Sequence, residues 1–233
     1  MTKRETKLLI KEATSKGRST LLEPEAKALL SAWRIIVPKC IMIEEEKGLA
    51  TEFKKLSPPF VLKVVSPYIL HKSNVGGVVT NLKDEKEIRQ AMKDIKKNIS
   101  TKIPKTKIEG FLLEEMAPKG VEVIVGGLRD GQFGPVVMFG IGGIVVELLK
   151  DASYRLAPIQ KTEALEMMKE VKSYPLLTGF RGSRPVNMDK LADAIVKVSE
   201  IITEMEEIKE IEINPLITSE KGAIAVDARV LFD

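Results

Sequence analysis

Short apolar runs of strand length alternate along this chain with stretches in which apolar residues recur every three or four positions. Ala28, Leu29 and Trp33 fall at helical spacing behind Pro24, a residue suited to a first helical turn. Residues 35–43 then read as strand and residues 47–55 as a short helix. The run FVLKVV, residues 60–65, is β-branched and apolar apart from one charge, Lys63, and reads as a buried strand. Val78 and Val79 suggest a further strand. Asp84 with Glu87 then marks a helix start, ahead of Ile88, Met92, Ile95 and Ile99 on one face. These elements make a small α/β unit.

A second unit opens with IEGFLLEEM, residues 108–116, an apolar strand ending in two carboxylates and a methionine. Residues 121–128 and 134–139 flank Asp130-Gly131, a hairpin turn signal, and Glu122 is the odd acid there. GIGG, residues 140–143, leads into an apolar run at 144–149 but does not meet the G-x-G-x-x-G dinucleotide pattern. Two helices follow. Thr162 is placed to cap one with Leu165, Met168 and Val171 on a face, and Asn187 to cap a longer one with Leu191, Ile195, Val198, Ile202 and Met205. The methionines read as core. Residues 210–216 and 223–231 are strand-like around a Ser-Glu-Lys-Gly connection. Residues 1–20 are polar and basic with little periodicity, and read as a tail or docking extension.

Composition narrows the class. With 233 residues, 44% hydrophobic and 30% charged, the chain has ample material for a core. Its 37 basic and 33 acidic residues nearly balance and include no long basic run, so no nucleic-acid partner is expected. No apolar run reaches the ~18 residues of a membrane span. MTKRETK lacks the apolar region of a signal peptide, so no membrane association is expected. Cys40, the single cysteine, excludes an internal disulfide, fits a reducing cytoplasm and reads as core filler.

The stretch PFVLKVVSPYILHKSNVGGVVT, residues 59–80, concentrates the candidate chemistry. A lysine inside a buried strand is costly without a counter-charge, so Lys63 either snorkels out at the strand end or meets an anion. Ser66-Pro67 breaks the strand, and Ile69-Leu70 pin the segment before His71 emerges beside Lys72 and Ser73. Gly76-Gly77 permits close approach of backbone amides to a ligand, as in phosphate-cradling loops. His71 is either a solvated loop histidine or an imidazole that accepts a phosphoryl group, since a neutral ring nitrogen is nucleophilic near pH 7. With no second histidine and one cysteine, a zinc-type site at His71 is not expected. The loop TGFRGSRPVN, with Arg181 and Arg184, would suit a phosphate or a partner surface.

The C-terminal strands carry a definite geometry. If Ser219 faces Gly222, paired residue numbers sum to 441, which sets Asn214 opposite Asp227 and Glu212 opposite Arg229 on one face. Opposed Cβ atoms lie ~5 Å apart, so an amide oxygen and a carboxylate there can grip one hard cation such as Mg²⁺. The other reading is a solvated polar face of a hairpin. Pro215 requires an edge or bulge position and is able to shift the register by one.

Several blocks in order, PFVLKVVSPYILHKSNVGGV, FLLEEM, GVEVIVGGLRDGQFGPVVMFGIGG, DASYRLAPI, LLTGFRGSRP, EINPL and AVDARV, make the chain from about Leu21 onward similar to a known family. It resembles the β subunits of archaeal ADP-forming acetyl-CoA synthetases, ATP-grasp proteins of the nucleoside-diphosphate-forming acyl-CoA synthetase superfamily related to succinyl-CoA synthetase β subunits. The resemblance implies an α+β ATP-grasp fold of two α/β lobes with ATP or ADP between them. The small lobe would span 41–111, and the large lobe 21–40 and 112–233, carrying hinge and metal site. Lys63 would lie on the phosphates, Glu114, Glu115 and Met116 would form the adenine hinge, and Glu122 would contact the ribose or phosphate side. Asn214 and Asp227 match the family's Mg²⁺ ligands, Glu212 a glutamate supporting a phosphohistidine, and His71 a second phosphohistidine that succinyl-CoA synthetases do not need.

The implied reaction is acetyl-CoA + ADP + phosphate ⇌ acetate + CoA + ATP, of which this chain would perform the phosphoryl end. A CoA-binding α subunit with the first active-site histidine, in an α2β2 heterotetramer, is the implied partner. Two rivals predict different features. A succinate-CoA or other ATP-grasp ligase subunit would not need His71, and a non-catalytic regulatory subunit would show decay at the lysine or metal positions, where none is seen.

Overall fold

The computed structural model describes residues 3–44, 46–69, 71–142 and 151–233. Leu70 and the apolar run expected at 144–149 lie outside the described residues. The chain divides into two units, one of residues 38–117 and one of residues 1–37 with 118–233.

The smaller unit is a four-stranded sheet in the order β1-β4-β2-β3, formed by β1 (Cys40–Ile43), β2 (Phe60–Val65), β3 (Val78–Leu82) and β4 (Gly110–Glu115). Every pairing is antiparallel. Alternation along β2 and β4 sends Phe60, Leu62, Val64, Phe111 and Leu113 into one core, where Ile88, Met92, Ile95 and Ile99 of the long helix (Glu85–Lys102) meet them. That helix begins as the sequence predicts. Asp84 Oδ1 accepts from Glu87 N at 2.9 Å, and Glu87 Oε2 accepts from Lys83 N at 2.8 Å. The segment expected as one helix at 47–55 is three short turns, of which Leu49–Glu52 is α-helical.

Two boundaries differ from expectation. The smaller unit runs from 38 to 117 where 41 to 111 was expected, because β1 pairs β4 from Cys40↔Glu114 to Ile43↔Phe111 and the amides of Glu115 and Met116 bond to Lys39 and Pro59 of the same unit. The strand expected at 35–43 begins only at Cys40, after a left-handed Arg34 (φ 64°) and Pro38, which has no N–H to give a ladder. Cys40 is half-buried rather than core.

The larger unit is a six-stranded antiparallel sheet. Its order is β10 (Ala228–Phe232), β8 (Ile208–Ser219), β5 (Val121–Asp130), β6 (Gly134–Ile141) and β7 (Ala152–Leu156), with β9 (Gly222–Ala225) also on β8. Among the described residues the helices in chain order are α1 (Lys3–Ser15), α2 (Glu23–Ala32), α3 (Leu49–Glu52), α4 (Glu85–Lys102), α5 (Lys161–Glu170) and α6 (Met188–Glu204). The hairpin at Asp130 forms as predicted, with Asp130 Oδ1 accepting from Gln132 N at 2.8 Å and Phe133 N at 2.9 Å. Asn187 caps α6, accepting from Lys190 N at 3.0 Å, and Leu191, Ile195, Val198 and Ile202 are buried beneath it. At its other end Arg129 donates to the Ile202 and Met205 carbonyls, placing a cation at the negative end of the helix. The cap of α5 is Gln160 rather than Thr162, with Glu163 Oε2 accepting from Gln160 N at 2.8 Å.

From Lys3 onward the N-terminal segment is not a loose tail. Lys3–Ser15 is a helix whose Thr6, Ile10 and Ala13 are buried in the larger unit's core. Leu8, Leu9 and Ile10 stand side by side rather than at helical spacing, with Leu8 exposed and Ile10 buried, and that run hides the buried stripe in the sequence.

Asp151 anchors the turn after α5. It is 7% exposed, and accepts from Lys172 N at 2.7 Å, Ser173 N at 2.8 Å and Ser173 Oγ. Burial pushes its pKa up, but the Ser173 hydroxyl, the two amides and the Lys172 charge outweigh that and hold it below the ordinary aspartate value. A carboxylate lowered in the folded state stabilises the fold above the unfolded pKa of about 3.9, and loses that contribution as pH falls through its folded value. Asp151→Asn is therefore expected to cost about 2–3 kcal/mol at neutral pH, since it turns an amide against N–H donors. In denaturation curves the gap to wild type should narrow below about pH 4; a gap constant from pH 7 to 3 would contradict the assignment.

Candidate functional site

The expected register of the C-terminal strands holds from Ser219↔Gly222 to Leu231↔Glu210 and shifts by one only at the last pair, Phe232↔Ile208. Ser219↔Gly222 through Leu216↔Ala225 pair β8 with β9, and Ala228↔Ile213 through Leu231↔Glu210 pair β8 with β10, all summing to 441. Between them Asn214 N donates to Asp227 O at 3.2 Å and Val226 N to Pro215 O at 3.0 Å, so the count is unbroken across the proline. Pro215 does disturb the other side of β8. Against β5 the pairing passes from Val123↔Leu216 to Val125↔Ile213, one extra residue on β8 at the proline.

This bulge keeps Ile211, Ile213 and Leu216 in the core while Glu212 and Asn214 point away from it. Arg229, opposite Glu212, donates through Nη2 to Glu210 Oε1 and, at 3.2 Å, to Glu212 Oε2. Asn214 Nδ2 donates to Glu212 Oε1 at 3.3 Å. Both Glu212 oxygens are thus held, and an amide that gives its nitrogen to Glu212 turns its oxygen away from it, as a cation ligand requires. Asp227 Oδ1 accepts from Ala228 N at 2.9 Å. Among the described residues no three His, Cys, Asp or Glu side chains form a metal cage by themselves. One amide oxygen and one carboxylate nevertheless fit Mg²⁺, which keeps several waters and shares its sphere with phosphates rather than using an all-protein cage.

In the smaller unit the anion that Lys63 requires is Glu114. Lys63 is 3% exposed and Glu114 1%, and Nζ lies 2.7 Å from Oε1. Register explains the meeting, since Val61↔Glu114 and Lys63↔Leu112 put both side chains on one face of adjacent strands. Glu115 Oε1 accepts from Ser57 N at 2.9 Å, and Met116 N donates to Pro59 O at 2.8 Å, tying the end of β4 to the entry of β2. Glu122 is exposed on β5, and its carbonyl accepts from Gly142 N at 2.7 Å.

His71 is exposed, beyond the end of β2 and ahead of a 3-10 turn at Ser73–Val75. The expectation that Gly76 and Gly77 offer amides to a ligand is corrected by their geometry. Gly76 N donates to Ser73 O at 3.1 Å and Gly77 N to Lys72 O at 2.8 Å, so both donors are used inside the turn. In the arginine-rich loop Arg184 pairs with Glu220 at 2.8 Å, and Arg181 lies 5.3 Å from the Phe180 ring centroid. Arg229 and Glu210, which hold Glu212 in place, were given no role by the sequence; for Arg229 the 441 pairing was the available signal.

The four-stranded sheet thus carries a buried Lys–Glu pair, and the six-stranded sheet an outward Glu–Asn–Asp row. The chain belongs to the ATP-grasp family, whose domain profile matches residues 12–232. Within it the chain is 48% identical to the β subunit of ADP-forming acetate–CoA ligase I of Pyrococcus furiosus, over 96% of each chain. Acetyl-coenzyme A synthetase 1 of Ca. Korarchaeum cryptofilum, solved with coenzyme A and Ca-AMPCP, has a chain with TM-score 0.95 and 45% identity, covering 98% of this chain and all of that one. A structure of the same protein with coenzyme A and Mg-AMPPCP, its phosphohistidine segment pointing towards the nucleotide binding site, matches with TM-score 0.85 and 43% identity over 98% and 100% of the two chains.

The Lys63–Glu114 pair makes a sharp energetic prediction. Removing one partner strands a buried charge, so Glu114→Leu alone should destabilise the protein by about 3–5 kcal/mol, whereas Lys63→Met with Glu114→Leu should recover most of that loss. Chemical denaturation of the two variants decides; a double variant as unstable as the single one would show that the charges do not balance each other.

Proposed function

We propose that this chain is the nucleotide-binding β subunit of an ADP-forming acetyl-CoA synthetase, an acid–thiol ligase of the cytoplasm, and that it performs the phosphoryl end of acetyl-CoA + ADP + phosphate ⇌ acetate + CoA + ATP. The observation that carries this reading is the exposed imidazole of His71, beyond the end of β2 and ahead of the Ser73–Val75 turn. The phosphohistidine segment of the Korarchaeum relative supports it. His71 takes a phosphoryl group from a histidine of a CoA-binding α subunit, in an α2β2 assembly. One N–P bond breaks as another forms on the His71 ring. That bond then breaks as a β-phosphate oxygen of ADP takes the phosphoryl group, and the electron pair returns to the ring.

The other residues position and neutralise. Lys63, held by Glu114, supplies positive charge to the phosphates, Glu115 and Met116 shape the adenine side, and Glu122 contacts the ribose or phosphate side. Glu212, held by Arg229 and Asn214, accepts an N–H from the phosphorylated imidazole and fixes its ring. Asn214 and Asp227 are the residues that would hold Mg²⁺, whose chemistry here is to offset phosphate charge. Gly76 and Gly77 serve the turn beside His71 rather than the phosphates.

Incubating the complex of this chain and its partner subunit with labelled ATP and Mg²⁺ should leave acid-labile label on this chain. His71→Ala should reduce ATP formation to background while the partner is still phosphorylated from acetyl-CoA and phosphate. Near-normal ATP synthesis by His71→Ala would contradict the proposal and favour direct transfer from the partner's histidine.

A further inference from the structure

The turn that follows His71 is fastened to helix α4 by contacts that no role above uses. Asn98 and Lys102 stand four residues apart on α4 and so share a face. Asn98 Nδ2 donates to the Gly76 carbonyl at 3.3 Å, and Lys102 Nζ to the Asn74 carbonyl at 3.0 Å. Their helix is itself fixed by the buried Ile88, Ile95 and Ile99.

Both glycines are shaped for this attachment. Gly76 is left-handed, at φ +69°, a conformation that favours glycine, and a Cβ there would stand 2.7 Å from Asn98 Nδ2, which shows how closely that side chain lies against the turn. A Cβ on Gly77 would stand 2.7 Å from Val64 Cγ1, and the Gly77 carbonyl accepts from Val64 N at 2.8 Å. The turn is therefore clamped to strand β2 on one side and to α4 on the other, with the exposed His71 one residue ahead of Lys72, whose carbonyl closes the turn.

From this geometry we infer that Asn98, assisted by Lys102, is a positioning residue for His71, acting through the Ser73–Gly77 turn. The inference rests on His71 being the phosphoryl carrier. Phosphoryl transfer needs the ring nitrogen within ~3–3.5 Å of phosphorus and in line. A loosened turn spreads the imidazole over positions from which no transfer occurs, while Lys63 and the β8–β10 row are untouched. The clamp therefore acts on rate and leaves nucleotide affinity alone.

The test uses the complex of this chain with its partner subunit and three variants, Asn98→Ala, Asn98→Asp and Lys102→Met. Amide hydrogen exchange of residues 73–77, the rate of phosphohistidine formation from ATP, and KM for ADP are measured on each. Asn98→Ala should speed exchange at Gly76 and Gly77 about tenfold and slow phosphorylation about five- to tenfold, the scale of one hydrogen bond, with KM for ADP within about twofold. Asn98→Asp should do the same, because an isosteric carboxylate has no donor for the Gly76 carbonyl; this separates the hydrogen bond from packing. Lys102→Met, at an exposed site, should give the smaller effect of the same sign.

Wild-type exchange and rate in both Asn98 variants would overturn the inference, as would faster exchange without slower phosphorylation, or a loss confined to KM. A wild-type complex that forms no acid-labile phosphate on this chain would overturn the carrier reading and the positioning role with it, while hydrogen exchange would still report whether the clamp exists.

Discussion

The larger unit depends on the register of one strand. β8 is interior, paired on both sides, and its Ile208, Ile211, Ile213 and Leu216 are fully buried. A slip by one residue would turn those four side chains out of the core, at roughly 1.5–3 kcal/mol each, and no local rearrangement offsets a loss of that size. The bulge at Pro215 shifts β8 by one residue against β5 while its count against β9 and β10 runs on unbroken. Glu212 and Asn214 face outward beside Arg229 and Asp227 because the core permits no other phase. Polar chemistry here is placed by apolar burial.

The smaller unit solves a different problem. A charge sits inside β2, and burying an ammonium is tolerable only with a counter-ion. Glu114 supplies it from the neighbouring strand. The same unit ends β2 in a segment whose turn is fixed by glycines and by α4, which leaves the histidine outside the packed structure and the ends of its segment inside it. Rigid scaffold with an exposed reactive group is the division of labour that loops on packed sheets generally provide.

Much of this was legible in the sequence where a single local signal settled it. The caps at Asp84 and Asn187, the Asp130 hairpin and the 441 pairing each follow from a residue type whose conformational preference dominates its neighbourhood. The lysine in FVLKVV announced a need for an anion but not its source, because the partner lies 51 positions away and is set by β2–β4 pairing. The glycine pair was misread as a phosphate cradle. Glycines that admit a ligand and glycines that admit a neighbouring side chain look alike in sequence, and only the positions of Asn98 and Val64 separate them. Helix α1 was missed because Leu8, Leu9 and Ile10 run together instead of falling at helical spacing, and the grouping of Glu114 with β1 rests on a strand pairing across more than seventy positions, Cys40↔Glu114, that no local signal announces.

The central claim is that the register of β8 makes Asn214 and Asp227 a cation site for a nucleotide complex. Mn²⁺ in place of Mg²⁺ reads it directly, by electron paramagnetic resonance during titration of the protein with Mn²⁺ and ADP. Wild type should immobilise one Mn²⁺ only when ADP is present, and Asp227→Asn and Asn214→Ala should each weaken that site about tenfold or more without altering the folding transition. Mn²⁺–ADP binding unchanged in both variants, or equally tight without nucleotide, would contradict the account.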